Sequence, residues 1–456
     1  MRPLDSDTIA AVSTPRGEGG IGIVRLSGPR AVAIADAVFR SRKGTPVSRQ
    51  KSFTVQYGRV EGVDEVLTLL MRAPKSYTCE DMVEISAHGG PRILDRILAL
   101  AFANGARPAE RGEFTKRAFL NGRIDLLQAE AVLDLVQAKT TAGAKTALGQ
   151  LEGRFSAKAR ELKKILIDVL SHLEASIDFP DDFPDTDPAE ATAAKLDRAA
   201  AEIRTLLKDA DAGILAKSGF RLVLAGRPNV GKSSLMNRLC RADRVIVTPE
   251  AGTTRDVVEE QVDLRGYPVR VFDTAGLGRT EQAVEKEGME RARRAAVEAD
   301  LVVVVVDASQ PFGAEDDRLL ESLGGRKILI AANKCDLPVR IDVGATRRVA
   351  PTVLCSCLTG DGLLELEDKI FSMLITVPEG FEPSGTAMVN TVRQKDLLGS
   401  LLASVESAAS ACRTGLSPEL IAVDVRQGLE HLGELVGEVI DEEVLEALFN
   451  QFCIGK

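Results

Sequence analysis

The sequence predicts a multidomain chain: an α+β N-terminal region, an all-α helical region, and an α/β domain inserted into the helices. Three observations carry this. Residues 1–120 alternate short apolar runs with glycine-rich turns, as in Ile21–Leu26, Val66–Met71 and Met82–Ser86. Apolar residues then recur at three- and four-residue steps (Phe155, Leu162, Ile165, Leu166, Val169, Leu170, Leu173), the period of a helix with one buried face. From Phe220 to about Ile375 strand-like runs alternate with helical ones, the pattern of a doubly wound parallel sheet.

Each element follows from local chemistry. In the first region Ala31–Phe39 reads as a short helix and Pro91–Phe102 as a longer one, with Gly89-Gly90 as the turn and Pro91 at the helix start. The helical pattern runs from Ile124 to Ile177. It breaks at Asp178–Pro188, where three prolines among five aspartates predict an exposed acidic bend. Helix resumes from Ala189 to about Lys217. The strands expected after it are Phe220–Ala225, Val257–Leu264, Val269–Phe272, Leu301–Val306, Ile328–Ala331 and Val353–Cys355. After Pro378 the helical period returns through Leu398, Leu401, Val405, Leu432 and Leu435. The expected domains are 1–120, 121–217, 218–377 and 378–456, the second and fourth completing each other's buried faces.

Composition narrows the function class. The 456 residues are 45% hydrophobic and 27% charged, which excludes a disordered chain. No apolar run reaches membrane-spanning length and no export signal opens the chain, so a cytoplasmic protein without a membrane span is expected. Seven scattered cysteines and three histidines offer no zinc spacing. Net charge is −9, yet residues 1–120 carry 18 Lys and Arg against 13 Asp and Glu. That disfavours a general nucleic-acid coat but leaves room for a local polyanion site.

The chemistry is concentrated in the α/β domain. Gly226-Arg-Pro-Asn229-Val230-Gly231-Lys232-Ser233-Ser234 lies between a strand and an amphipathic helix. Main-chain N–H groups of such a loop wrap a phosphate at a helix N-terminus; Lys232 reaches β- and γ-phosphates and the Ser233 hydroxyl suits Mg²⁺. Asp273-Thr274-Ala275-Gly276 ends a strand near the metal and γ-phosphate. Asn333-Lys334-Cys335-Asp336 ends another, and Asp336 can accept from guanine N1–H and its exocyclic amine, a donor pair adenine lacks. Ser356, with Cys357 and Leu358, falls where a loop closes over the base edge. Together these predict a guanine-nucleotide site.

The domain resembles the translation-factor-like GTPases, and Thr248-Pro249-Glu250-Ala251-Gly252-Thr253-Thr254-Arg-Asp256 resembles their first switch loop, where Thr254 is a second Mg²⁺ ligand. Leu277 stands where Ras-like proteins carry a water-orienting glutamine. Asn229 with the Gly-Thr-Thr-Arg-Asp switch resembles the potassium-dependent subgroup. That likeness implies K⁺ held by Asn229 and carbonyls at Thr248, Glu250 and Thr253.

The flanks narrow the resemblance. The C-terminal Phe452-Cys453-Ile454-Gly455-Lys456 does not make a prenylation box, because Gly455 and Lys456 do not suit one. This ending, with Asp7-Thr-Ile-Ala10, Gly20–Gly28, His88-Gly-Gly-Pro91, Gly112-Glu-Phe114, Arg117–Asn121 and Ile177-Asp-Phe-Pro180, resembles the tRNA modification GTPase family known as MnmE or TrmE. The resemblance implies a tetrahydrofolate-binding, dimer-forming N-terminal domain, with one-carbon folate held by Arg25, Glu84, Arg123 and Lys456. Family members often carry Lys at the position of Arg123. It also implies a catalytic or positional Cys453, Glu285 as the residue orienting water, and a homodimer. A flavin (FAD) partner of the MnmG/GidA type would join it in a heterotetramer. GTP hydrolysis would then accompany addition of a (carboxymethyl)aminomethyl group to C5 of the wobble uridine of tRNA. The alternative is an Era- or Der-like ribosome-assembly GTPase, which would need an RNA-binding appendage or a second phosphate loop; neither motif occurs.

Overall fold

The computed structural model describes residues 7–179, 189–240, 258–273, 299–374 and 389–456. The chain divides into two compact units: Met1–Val136 with Gln150–Asp197 and Ala403–Lys456, and Gln137–Gly149 with Arg198–Leu402. The acidic bend expected at Asp178–Pro188 falls almost wholly outside the described residues.

The first unit holds a seven-stranded sheet of β1 (Ile9–Val12), β2 (Gly22–Ser27), β3 (Phe39–Ser41), β4 (Thr54–Val60), β5 (Asp64–Met71), β6 (Met82–Ala87) and β7 (Arg107–Pro108), ordered β3-β4-β5-β6-β2-β1-β7. All neighbours are antiparallel except β1 and β7. Alternation sends Val24, Leu26, Val83 and Ile85 to one face, where they pack on Ile34, Val38, Leu94 and Ile97 of the helices Ala31–Val38 and Pro91–Ala103. Arg25 and Glu84, directly opposite each other on β2 and β6, take the other face.

Helices of the same unit close on their own apolar stripes. In Arg154–Asp178 the buried residues include Phe155, Ala159, Leu162, Leu166, Val169 and Leu173; Ile165 and Leu170, expected in the stripe, are half-exposed. This helix packs along Pro418–Val436, which buries Ile421, Val425, Leu432 and Leu435. Arg426 pairs with Glu174 at 2.8 Å across that seam. Further on, Leu445, Phe449 and Phe452 pack on Ala118, Leu126 and Leu133.

In the second unit β8 (Phe220–Ala225), β9 (Val258–Leu264), β10 (Tyr267–Asp273), β11 (Leu301–Asp307), β12 (Ile328–Asn333) and β13 (Thr352–Leu354) form one sheet ordered β13-β12-β11-β8-β10-β9. Its strands are parallel except β9, which returns antiparallel to β10 through Arg265 and Gly266, both at positive φ. Every residue of β11 is buried, as a strand covered on both faces requires. Leu222, Leu224, Val303 and Val305 pack toward the helices Lys232–Leu239 and Leu363–Leu374. Val223, Val302, Val304 and Val306 pack toward Ala314–Ser322. Burying such a side chain is worth roughly 1.5–3 kcal/mol. This packing fixes the C-terminal ends of five parallel strands, where such sheets place ligands.

Candidate functional site

The loop leaving β8 is shaped for an anion. Gly226, Asn229 and Gly231 all take positive φ, and the chain then enters the helix Lys232–Leu239. At Gly231, φ is 102° and an added methyl would collide with Asn333 Nδ2, so only glycine serves there. Lys232 is 6% exposed, and its Nζ donates to the carbonyls of Gly226 at 2.8 Å and Arg227 at 2.7 Å. Those neutral acceptors hold the ammonium at the loop's rim. Phosphate oxygens, being charged, are stronger partners for it.

The base-side motifs are tied to this loop by buried hydrogen bonds. Asn333, at the end of β12, donates from Nδ2 to Val230 O at 2.9 Å and accepts from Cys357 N at 2.9 Å. Both ends of its amide are therefore engaged by main chain, and Asn333 is a strut between the phosphate loop and the 355–358 loop. Lys334, at φ 68°, donates to Asn229 O at 3.0 Å and to Asp307 Oδ2 at 2.7 Å. Ser356 is fully buried and donates to Asp336 Oδ1 at 2.5 Å, while its Oγ accepts from the N–H groups of Leu358 and Thr359. From the helix Lys232–Leu239, Arg238 donates to Cys357 O and Leu358 O, each at 2.7 Å.

Electrostatics follow from burial. Burial pushes the Asp307 carboxyl up, but hydrogen bonds from Lys334 and Ser309 outweigh it and hold it below the usual carboxylate range. Burial raises Cys355 to about 12 and Cys357 to about 11, so both are neutral thiols unsuited to nucleophilic work. Of the remaining expected set, Thr248, Pro249, Glu250, Ala251, Gly252, Thr253, Thr254, Thr274, Ala275, Gly276 and Glu285 lie outside the described residues. The register sets Asp273 beside Leu224 at the end of β10.

A second cluster forms in the other unit. Arg25 donates from Nε to Glu84 Oε1 at 2.9 Å and from Nη1 to Gly455 O at 3.3 Å. Its guanidinium lies 5.9 Å from the Tyr77 ring centre and 5.5 Å from that of Phe114. Arg123 lies over the same Tyr77 ring at 4.7 Å and donates to Tyr77 O at 3.1 Å. Residues 453–456 reach this point through an antiparallel bridge between Ile454 and Arg111, with Phe114 N donating to Lys456 O at 3.1 Å. Gly455 has φ 94°, and a methyl there would collide with Val12 O. Cys453 is exposed. Below the cluster Arg117, fully buried, contacts Asp7, Glu80 and Glu113 at 2.7–2.9 Å.

Comparison with known proteins places this arrangement. Residues 8–123 match the family model described as the GTP-binding protein TrmE N-terminus, and residues 126–453 match that of the MnmE helical domain. The tRNA modification GTPase MnmE of Geobacillus thermodenitrificans is 44% identical over 461 residues, 99% of each chain. The chain belongs to the MnmE family. The namesake from Bacillus subtilis is 42% identical over 466 residues, 99% of this chain and all of that one. Among solved structures, the G domain of the T. maritima FeoB iron transporter matches 34% of this chain and 99% of its own, at 30% identity and a TM-score of 0.28.

For this MnmE family member the multidomain fold class expected from sequence holds. Sequence reasoning missed Tyr77, Arg238 and Asp307, and read Phe114 only as part of Gly112-Glu-Phe114, with no role of its own. The first three sit in no short motif; each gains its place from contacts 27 to 120 residues away or from a ring stacked under a guanidinium. The donor chemistry fits the expected groups. A hydroxyl at a helix N-terminus (Ser233) suits Mg²⁺, and an amide oxygen on a left-handed turn (Asn229) suits an alkali cation. Arginines, a carboxylate and a half-buried tyrosine suit a ring amide with an anionic tail. Among the described residues no cluster of three or more His, Cys, Asp or Glu could hold a metal, and no helix is long and apolar enough to cross a membrane.

Proposed function

We propose that this MnmE family member hydrolyses GTP in the modification of tRNA. With an FAD-containing partner of the MnmG/GidA type, it would place a (carboxymethyl)aminomethyl group on C5 of the wobble uridine, drawing carbon from a one-carbon folate. The observation that carries the GTPase part is Asn333: one buried amide holds the phosphate loop and the base loop together, so both ends of a nucleotide meet one rigid frame.

The residues divide the work. Asp336, held by the Ser356 hydroxyl, accepts from the guanine N1–H and amine. Lys232 gives up the Gly226 and Arg227 carbonyls for the β- and γ-phosphates. Glu285 orients the attacking water, and Thr274, Ala275 and Gly276 follow Asp273 toward the γ-phosphate. Mg²⁺ on Ser233 and Thr254, and K⁺ on Asn229 with carbonyls of Thr248, Glu250 and Thr253, supply positive charge to the phosphate oxygens when bound. In the other unit Glu84 takes the pterin edge, Arg25 and Arg123 its aromatic and anionic parts, and Lys456 the glutamate tail. Cys453 is a positional or nucleophilic thiol beside it. Exposed Val55 and Leu67 on the Arg25 face of the sheet support a homodimer through the N-terminal domain.

Turnover of GTP in K⁺ against Na⁺, with Asn229→Ala beside the wild type, tests the cation. K⁺ accelerates the wild type and the variant loses that preference; equal rates in both salts for the wild type refute it. Mass analysis of wobble uridines in cells lacking this chain, complemented with Asp273→Ala or Cys453→Ser, tests the tRNA chemistry. Full modification with Asp273→Ala would separate it from GTP hydrolysis.

A further inference from the structure

Between Asp36 and Glu61 the sequence carries six cations, Arg40, Arg42, Lys43, Arg49, Lys51 and Arg59, and no Asp or Glu, in a chain of net charge −9. All six are exposed. They sit on β3, on β4 and on the connection between them, and β3 is the outer strand of its sheet. Arg40 and Arg59 stand directly opposite each other, an arrangement that destabilises a strand pair. Sheet stability therefore gives no account of the cluster.

The nearby carboxylates do not neutralise it. Asp36 accepts from Ser48 N at 3.1 Å, Asp64 is held by His88 at 2.8 Å, and Glu65 accepts from the Tyr57 hydroxyl at 2.7 Å. Glu61 reaches Arg59 only at 3.8 Å, with both side chains about two-thirds exposed. Arg40 donates to the carbonyls of Asp36 and Phe39, and Arg42 lies 5.8 Å over the Tyr57 ring. Two aromatic rings are offered to solvent beside these charges, Phe53 at 60% and Tyr57 at 41% exposure.

We infer that this β3–β4 edge docks the sugar–phosphate backbone of a folded RNA, which on the function proposed above is the tRNA substrate. Four of the six cations are arginines, whose planar forks pair with phosphate oxygens. The exposed rings give unpaired bases a face to stack on, the pairing of charge and π-surface that RNA-binding sheets use. Complementarity of charge selects the partner: a polyanion meets a positive band on a negative protein.

The test uses the full chain, a labelled unmodified tRNA transcript, and the triple variant Arg42→Gln, Lys43→Gln, Lys51→Gln. Neutralising three phosphate contacts lowers the slope of log affinity against log salt by about 2 and weakens binding at least about tenfold near physiological salt. Tyr57→Leu weakens binding without changing that slope. GDP affinity and elution volume stay at wild-type values. An unchanged slope and affinity in the triple variant overturns the inference. So does a changed elution volume, which makes the edge a subunit interface. Loss of binding to phosphatidylserine vesicles with tRNA binding intact overturns it in favour of a membrane. If the wild type binds no tRNA at any salt, the proposed tRNA function fails as well, and that outcome is distinct from the others.

Discussion

Asn333→Ala separates a strut from a base contact. The side chain is 3% exposed and makes two hydrogen bonds of 2.9 Å, one to Val230 O and one from Cys357 N. Alanine leaves both main-chain groups without their partner. An orphaned buried polar group costs about 1–3 kcal/mol, so the pair costs about 2–6 kcal/mol, less where water reaches the gap. At about 2–4 °C per kcal/mol for a unit of this size, the ligand-free protein melts about 4–24 °C lower. Scanning calorimetry without nucleotide measures this, and fluorescent GDP titration measures the accompanying loss of affinity. A residue that only touched the base would lower affinity and leave the ligand-free melting temperature alone. If Asn333→Ala melts within about a degree of the wild type, the strut argument is wrong.

Three further outcomes follow from the same geometry. Arg117→Met takes the buried arginine from Glu80 and leaves Asp7 and Glu113 paired with Arg107 alone, which costs about 3 kcal/mol at neutral pH in urea unfolding. Burial pushes Asp7 and Glu113 up, but their arginine hydrogen bonds outweigh it and hold both carboxyls below the usual range. Their contribution is therefore full above the unfolded carboxylate value near pH 4 and is lost as pH falls through the lower folded value, so the gap between wild type and Arg117→Met narrows on acidification. Asp336→Asn replaces an acceptor with a donor: GDP binding falls about 100-fold or more, and xanthosine diphosphate, with a carbonyl in place of the amine, gains on it in competition. Arg238→Met frees the carbonyls of Cys357 and Leu358, and GDP affinity falls about tenfold, while Arg238→Lys, keeping one donor, recovers part of it.

The second unit was legible wherever burial on two faces writes a continuous apolar run. Phe220–Ala225 appears as expected, and Leu301–Val306 differs by one residue because Asp307 extends the strand with its main chain while its carboxylate turns to Lys334. The β9–β10 hairpin was read as two strands but not as an antiparallel return, since Arg265 lacks the usual asparagine or aspartate turn signal. In the first unit β4 escaped notice. Thr54–Val60 exposes Val55 and Tyr57 and interrupts its pattern with Gly58, so neither alternation nor a buried run stands out. The phosphate-loop motif predicted which residues would approach a nucleotide but not that Asn333 and Lys334 spend their polar atoms on the loop itself. That depends on where β12 lies in the sheet.

Residues 453–456 have a consequence for how the chain is made. Gly455 O meets Arg25 across 430 positions, and Ile454 completes an edge at Arg111. During synthesis the N-terminal sheet emerges long before these partners exist, so Arg25 and the rim around Tyr77 begin life solvated. At ribosomal rates of about 5–20 residues per second the interval is tens of seconds. The amino-terminal module thus reaches its finished shape only after translation has passed residue 455.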